Sequence, residues 1–541
     1  LSRLERMVVV HEVAGSNPAS HPIDFPAFFG LRCCGVLQFP TDFRPPLCRR
    51  NPSSTAAAGA ANLRHLVPFW LLSASGWAAL TVLWAMQHGR EGRGGKGRPR
   101  SERFVPIAIL IVAVGLAARI AVLLTHDPCL SDDVYRYVFD GRNTAAGVNP
   151  YLIAPAQRLA PAARPAEKDS PESGDVRSGP EPPADEPAGL IPVPQELRDY
   201  AERWAGESVI VRLINNRELH TIYLPTSQWV FALAGALVPD AWRDPDAAAR
   251  VFRAVFVGIE LLAMILILAA LGMMKQSPWW LALYAWHPLP LTEIAGSGHQ
   301  DIIGIVLLIA ALLLYTATPM KIGRWLWSLA LATLVKPVTV PAAAILLRGR
   351  SWKSWLLAAA AGAAICLAVA APLWLTDGAR PLANLLDTAG AFTFTWAHFG
   401  SVYEPLLTAI ESLTPDWSNV PRERLARLIC ISLLGIIIFG IWLRGRDAWA
   451  DCALIFLAMV LLSTTAHPWY LLWALALIAV ARSPAVWVAS LTLPWGYLAW
   501  ADPGEWSVPW WALPAAYGPV YAVLAAQLVQ AWRRPAAERS A

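Results

Sequence analysis

Runs of apolar residues about as long as a bilayer is thick recur along most of this chain, at 105–124, 256–274 and 302–315 among others, each closed by a short polar or basic stretch. A helix rises about 1.5 Å per residue and the hydrocarbon core is about 30 Å thick, so roughly twenty apolar residues make one crossing. The pattern predicts an all-α polytopic membrane protein with about eleven transmembrane helices and two further re-entrant or broken segments. From residue 196 the spacing predicts a helix along the membrane surface, followed by a crossing that begins near Gln228.

Basic residues set the expected topology. The stretch HGREGRGGKGRPRSER is the densest Lys/Arg cluster, which places it in the cytoplasm and makes the next helix exit on the outer face. The same rule puts 320–324, 348–353, 444–446 and the tail 533–539 inside. Two successive inside loops then flank one apolar segment, 325–347, which cannot be a single crossing. Lys336-Pro337 interrupts it, and the residue before a proline disfavours helix. We expect a hairpin of two half-helices with Lys336 at the apex. Proline and glycine breaks in LYAWHPLPLTEIAGSGHQD predict a second, partly inserted segment that returns His299 and Asp301 to the outer face.

Composition agrees with a membrane class. Of 541 residues, 56% are hydrophobic and 15% charged, with 27 tryptophans and a mean hydropathy of +0.42, which excludes an ordinary soluble domain. The net charge of +5 sits in short loops, so it speaks of topology and gives nucleic-acid binding no support. Seven scattered cysteines form neither a disulfide framework nor a zinc pattern. Residues 1–62 lack periodicity, and GSNP is compatible with translation through the T-arm of a transfer RNA gene. They are read as a non-native or disordered extension behind a start codon placed too far upstream. No removable signal peptide is read there. The membrane domain is placed at 63–531, with an external loop at 126–225 and a cytoplasmic tail at 532–541. Within the loop, the Pro- and charge-rich stretch 155–194 is expected to be a disordered insertion.

Candidate chemistry collects on the expected outer face. Asp132 and Asp133 follow an apolar run directly, with Arg136, Asp140 and Arg142 close behind; a carboxylate beside a lipid surface is placed to take a proton from an acceptor hydroxyl. Interfacial charges at a helix end are the plainer alternative. Lys336 unpaired near a bilayer centre would cost roughly 2.5–3.5 kcal/mol, so a partner is expected, and an anionic phosphate suits it, with Arg142 holding the same phosphate from the loop side. Tyr151, His299, Asp301, Tyr403, Glu404 and His467, with Arg136, are candidate substrate contacts. A histidine at a turn is more often structural, however, and the tryptophan of HPWY is assigned to an aromatic interface belt.

The segments SDDVYRYVFDGR, GVNPY, LHTIYLPTSQ, GSGHQD, LVKPVTVPAA and AHPWYLL, which span most of the chain after Leu63, resemble the GT-C superfamily of multi-pass glycosyltransferases. The resemblance is to bacterial polyprenol-phosphate-mannose-dependent mannosyltransferases in particular. It implies transfer of a hexose, mannose first, from a polyprenyl-phosphate-linked donor to a lipid or glycan acceptor, at the outer face of the cell (inner) membrane. It further implies inversion at the anomeric carbon and an aspartate base, Asp132 or Asp133. The residues themselves require no cofactor or metal, although the acidic pair could hold a divalent ion. Leu224 stands where relatives often carry a second proline, and the Pro-rich insertion lengthens the loop, which leaves the acceptor open. A transporter or lipid flippase is the rival class, since it also needs intramembrane charges and broken helices.

Overall fold

The computed structural model describes residues 104–125, 130–158, 209–238, 244–445, 447–501 and 507–533. The predicted extension 1–62, the first apolar segment and its basic loop, the insertion from 159 onward and the tail beyond 533 lie outside these residues. The first four residues assigned to the insertion, Pro155–Arg158, form a 3-10 turn.

The described residues are helical or irregular, without a strand beyond an isolated bridge between His398 and Thr465. Among them, five helices are long and apolar enough to cross a membrane. The α-helices of seven or more residues are α1 (Phe104–Thr125), α2 (Asp133–Ala145), α3 (Pro225–Ala236), α4 (Pro245–Met273), α5 (Asp301–Ala317), α6 (Ile322–Thr333), α7 (Val340–Leu346), α8 (Trp352–Trp374), α9 (Arg380–Thr395), α10 (Tyr403–Leu413), α11 (Asn419–Arg444), α12 (Ala448–Leu462), α13 (Pro484–Thr492) and α14 (Ala512–Arg533). The five long ones are α1, α4, α8, α11 and α14.

Contacts between loops assign the ends of the bundle. Arg350 donates to the Pro319 carbonyl at 2.9 Å and to Met320 Sδ, so the chain entering α6 and the chain leaving α7 meet. Lys336, between these helices, lies instead 3.0 Å from Asp301 at the start of α5. The segment therefore turns back on itself at Lys336-Pro337 and returns to the end it left. Arg348 extends the same end to α11 and α12, donating to Asp451 at 2.6 Å and to the Ile441 carbonyl. The basic segments thus gather at one end of the bundle, opposite Asp301 and Lys336.

The second broken segment differs from the expectation. It passes from end to end antiparallel to α4 and does not dip and return: Ala285 shares an arginine with Glu260, and Ala295 faces Arg253 seven residues earlier on α4. A 3-10 turn (Pro278–Leu281), two short helical pieces (Ala282–Ala285 and Pro288–Pro290) and a π-helical turn (Leu291–Gly296) make up this pass. Prolines remove donors and free backbone carbonyls, which must be satisfied inside a bilayer. Two buried arginines do this. Arg119 donates to the Ala285 carbonyl at 2.7 Å while it grips both oxygens of Glu260 at 2.6 Å, and Arg253 Nε donates to the Ala295 carbonyl at 2.7 Å.

The predicted crossing at Gln228 is also corrected. That stretch is α3, 12 residues long and so about 18 Å, too short for a crossing. It lies along α2 instead. The two backbones approach so closely that a Cβ on Gly141 would stand 2.2 Å from the Phe231 carbonyl oxygen, and one on Gly235 2.5 Å from the Gly141 backbone. The predicted surface helix survives in the described residues only as Val209–Leu213.

Candidate functional site

At the end of the bundle opposite the basic loops, the segments singled out in sequence converge. Asp132 is the residue before α2 and does not cap that helix with its side chain. Its Oδ1 accepts from Asn215 Nδ2 at 2.5 Å, and Asp133 Oδ1 accepts from the same nitrogen at 3.3 Å. Two adjacent residues inside a helix would point about 100° apart. Asp132 stands outside the helix, so both carboxylates turn to one donor. Asn216, with φ 44°, makes the left-handed turn that presents Asn215. Burial, and next to it the charge of Asp133, lift the Asp132 carboxyl from 3.8 to about 7, against the opposing hydrogen bond from Asn215.

GSGHQD supplies the facing wall. His299 Nε2 lies 3.9 Å from Asp133 Oδ2, and its Nδ1 lies 2.8 Å from Glu293 Oε2 in the π-helical turn. Tyr497 donates to the other oxygen of Glu293. Asp301 Oδ1 accepts from Lys336 Nζ at 3.0 Å and from Trp473 Nε1 at 2.6 Å. Trp473 can come this close because it lies against α5 at Gly304, where any Cβ would stand 2.3 Å from the indole. The Lys336 side chain keeps 30% of its surface exposed and lies over the Tyr470 ring at 4.5 Å. It is therefore a cation with a fixed partner and an open side.

Further bonds join the remaining segments. Ser227 donates to Gln300 at 2.6 Å, and Gln228 Nε2 to Asp140 at 3.2 Å, tying LPTSQ to both GSGHQD and the helix of the aspartates. In AHPWY, Trp469 is sandwiched between His299 and His467, with ring centroids 4.3 and 4.2 Å away. His467 in turn stacks on His398 at 5.0 Å. The belt assignment of Trp469 is therefore corrected: it is buried among rings of the site. Trp510, 86% exposed, does suit a belt.

Several candidates belong to the scaffold. Arg136 is spent on Asp140 at 3.0 Å and on the Leu219 carbonyl. Arg142 donates to the Gly235 carbonyl at 3.0 Å, at the far end of α3, whereas the start of α3 meets Leu334 beside Lys336. Some nine residues of α3, about 14 Å of helix, lie between these two contact points, so Arg142 and Lys336 stand at opposite ends of α3 and Arg142 is engaged by the scaffold. Tyr151 is fully buried and donates to the Tyr223 carbonyl at 2.6 Å, while Asn149 ties the same turn to Leu373 and Thr376. GVNPY therefore fastens the loop to the end of α8. Glu404 accepts from the Gly400 amide at 3.1 Å at the start of α10, and Tyr403 packs buried beneath Arg427 in a separate small cluster. Both are removed from the aspartates.

Among the described residues, no group of three His, Cys, Asp or Glu side chains is placed to hold a metal ion. Asn215, Trp473 and Tyr497 went unmarked in sequence. Comparison with known proteins finds no matching family model and no similar curated protein or solved structure.

Proposed function

We propose that this protein is an inverting, membrane-embedded hexosyltransferase that takes a sugar, mannose first, from a polyprenyl-phosphate donor and passes it to a lipid or glycan hydroxyl. The observation that carries the reading is the meeting of a carboxylate pair and a partly open lysine at one end of the bundle, joined through Asp301 and His299. The donor's phosphate docks on Lys336 and its tail lies between helices. An ionised aspartate takes the acceptor's proton, the acceptor oxygen bonds to the anomeric carbon, and the sugar-phosphate bond breaks with its electron pair on the phosphate. Lys336 stabilises the charge that accumulates there, more in the transition state than before it. A carboxyl held at about 7 is matched to proton transfer near neutral pH.

The reading places the polar end at the outer face of the cell membrane and the gathered arginines in the cytoplasm, in accord with the positive-inside rule. Among the described residues, five helices long and apolar enough to cross a membrane support the membrane setting, and about eleven crossings of GT-C type are part of the proposal. The broken passes would equally serve a transporter. Transfer from labelled polyprenyl-phosphate-mannose into endogenous lipid or glycan separates the two, using membranes with matched amounts of wild type, Asp132→Ala, Asp133→Ala and Lys336→Ala. Loss on removing one aspartate and on removing Lys336 is expected. Wild-type membranes inert with mannose and other hexosyl donors would sink the proposal in favour of transport.

A further inference from the structure

His299 has a place in the site that proton abstraction by an aspartate alone does not use. It is 1% exposed, its ring is fixed face to face on Trp469, and its two nitrogens look in opposite directions, one at Asp133 and one at Glu293. A buried carboxylate 2.8 Å from Nδ1 favours the ring proton on that side, which leaves Nε2, without a hydrogen-bond partner among the described residues, as the acceptor facing the aspartates. Tyr497 pins Glu293 from behind, so the carboxylate keeps its position. Gly298, next in chain, is at φ 80°, wedged between Arg253 and Val134 of α2, which fixes the turn that aims the ring.

We infer that His299 and Glu293 form a proton relay for the aspartate pair, His299 accepting through Nε2 the proton that Asp133 takes from the acceptor hydroxyl. The inference rests on the transferase reading. In each turnover the acceptor O–H bond breaks and the proton moves to the Asp133 carboxylate and on to Nε2. Asp133 is left ionised and the imidazolium is paired with Glu293. Once the glycosylated product has left, the proton returns through Asp133 to water at its open side, where the carboxylate is 25% exposed. The separation of 3.9 Å is longer than a hydrogen bond; such contacts commonly tighten when substrate binds.

The charged and titratable groups around the ring are Asp132 and Asp133 at the start of α2, Glu293 on its own segment, Asp301 and Lys336 beside it, Arg253 behind it, and His467 across Trp469. The imidazolium that forms when Nε2 accepts the proton favours the ionised form of these carboxylates. Without it, the pair holds its proton to higher pH.

The test is the pH dependence of sugar transfer by purified protein in lipid nanodiscs, for wild type, His299→Gln and the isosteric Glu293→Gln. Donor KM is measured at each pH and folding is checked by thermal unfolding. We expect kcat near neutral pH to fall about 100-fold in His299→Gln, the lower end for a lost proton-transfer group. The acid limb should move to higher pH with donor KM unchanged. Glu293→Gln should move the limb the same way by less, which keeps the test open if His299→Gln does not fold. A folded His299→Gln that follows the wild-type profile, or that loses activity equally at all pH with a raised KM, overturns the relay and leaves the transferase standing. If wild type transfers nothing from any hexosyl donor, the transferase reading fails and the relay with it.

Discussion

A carboxyl kept half protonated at neutral pH within the aspartate pair is a liability to the fold, and at Asp132 its size can be worked out. Lifting the carboxyl from 3.8 to about 7 corresponds to about 4 kcal/mol at about 1.4 kcal/mol per pH unit. The side chain is only half-buried, and water at its open side trims the figure to about 2–4 kcal/mol. The sign follows from linkage. The folded state binds this proton more tightly than the unfolded state, so the favourable contribution is complete below pH 3.8 and is lost as pH rises to about 7. Asp132→Asn removes the charge and keeps an oxygen to accept from Asn215. It should raise stability by about 2–4 kcal/mol at pH 8 and leave it nearly unchanged at pH 4. Equilibrium unfolding of the detergent-solubilised protein by added denaturing surfactant, read by tryptophan fluorescence at both pH values, measures the difference. If Asp132 is the base, the same variant transfers no sugar, a gain in stability at the expense of function. A substitution that destabilises at pH 8, or that stabilises equally at pH 4 and pH 8, would refute the account of a strained carboxylate.

Other consequences follow from single contacts. Asn215→Ala removes a hydrogen bond that favours the ionised Asp132, so the carboxyl should titrate above pH 7 and transfer, weak at neutral pH, should recover on alkalinisation; a pH-rate profile decides. Gly141→Ala would drive a methyl into the Phe231 carbonyl and should separate α2 from α3, costing about 1–3 kcal/mol or more in unfolding experiments, as overpacking does. Glu260→Leu leaves the buried Arg119 guanidinium unpaired and should cost about 3–5 kcal/mol, whereas Arg119→Met with Glu260→Leu should cost clearly less; a double variant as unstable as the sum of the singles would contradict this.

The Lys336 hairpin was legible in sequence because two independent signals agreed. Basic residues flanked both sides of an apolar segment, and Lys336-Pro337 sat near its middle; Arg350 meeting Pro319 is what that topology requires. The pass through Leu283 and Glu293 was legible as broken but not as a complete traverse. Hydropathy reports that a segment can enter lipid, whereas the direction in which it leaves is fixed by partners far away in sequence, here Arg119 and Arg253. The same limit hid Trp469. A tryptophan beside proline at a helix end reads as interfacial, and only the approach of His299 and His467 from two other segments makes it an interior spacer. Asn215 carried no signal because a polar turn residue is ordinary until two carboxylates are found on it.

These failures share a cause that bears on how the site is built. Where helices run unbroken, as in α8 and α11, the chain exposes its side chains broadly and holds none of the polar cluster. Glu293, His299, Lys336, His467 and Trp469 all stand in or beside segments interrupted by proline, a π-helical turn or a 3-10 turn. An unbroken helix satisfies its own backbone and therefore gives neighbours little reason to approach. A broken one exposes carbonyls that must be met, and the buried arginines that meet them are drawn inward with it. In this chain the irregular passes, more than the long apolar helices, bring charged side chains from distant segments to one end of the bundle. Sequence can mark each break, and the choice of partner across it is made only in the packed fold.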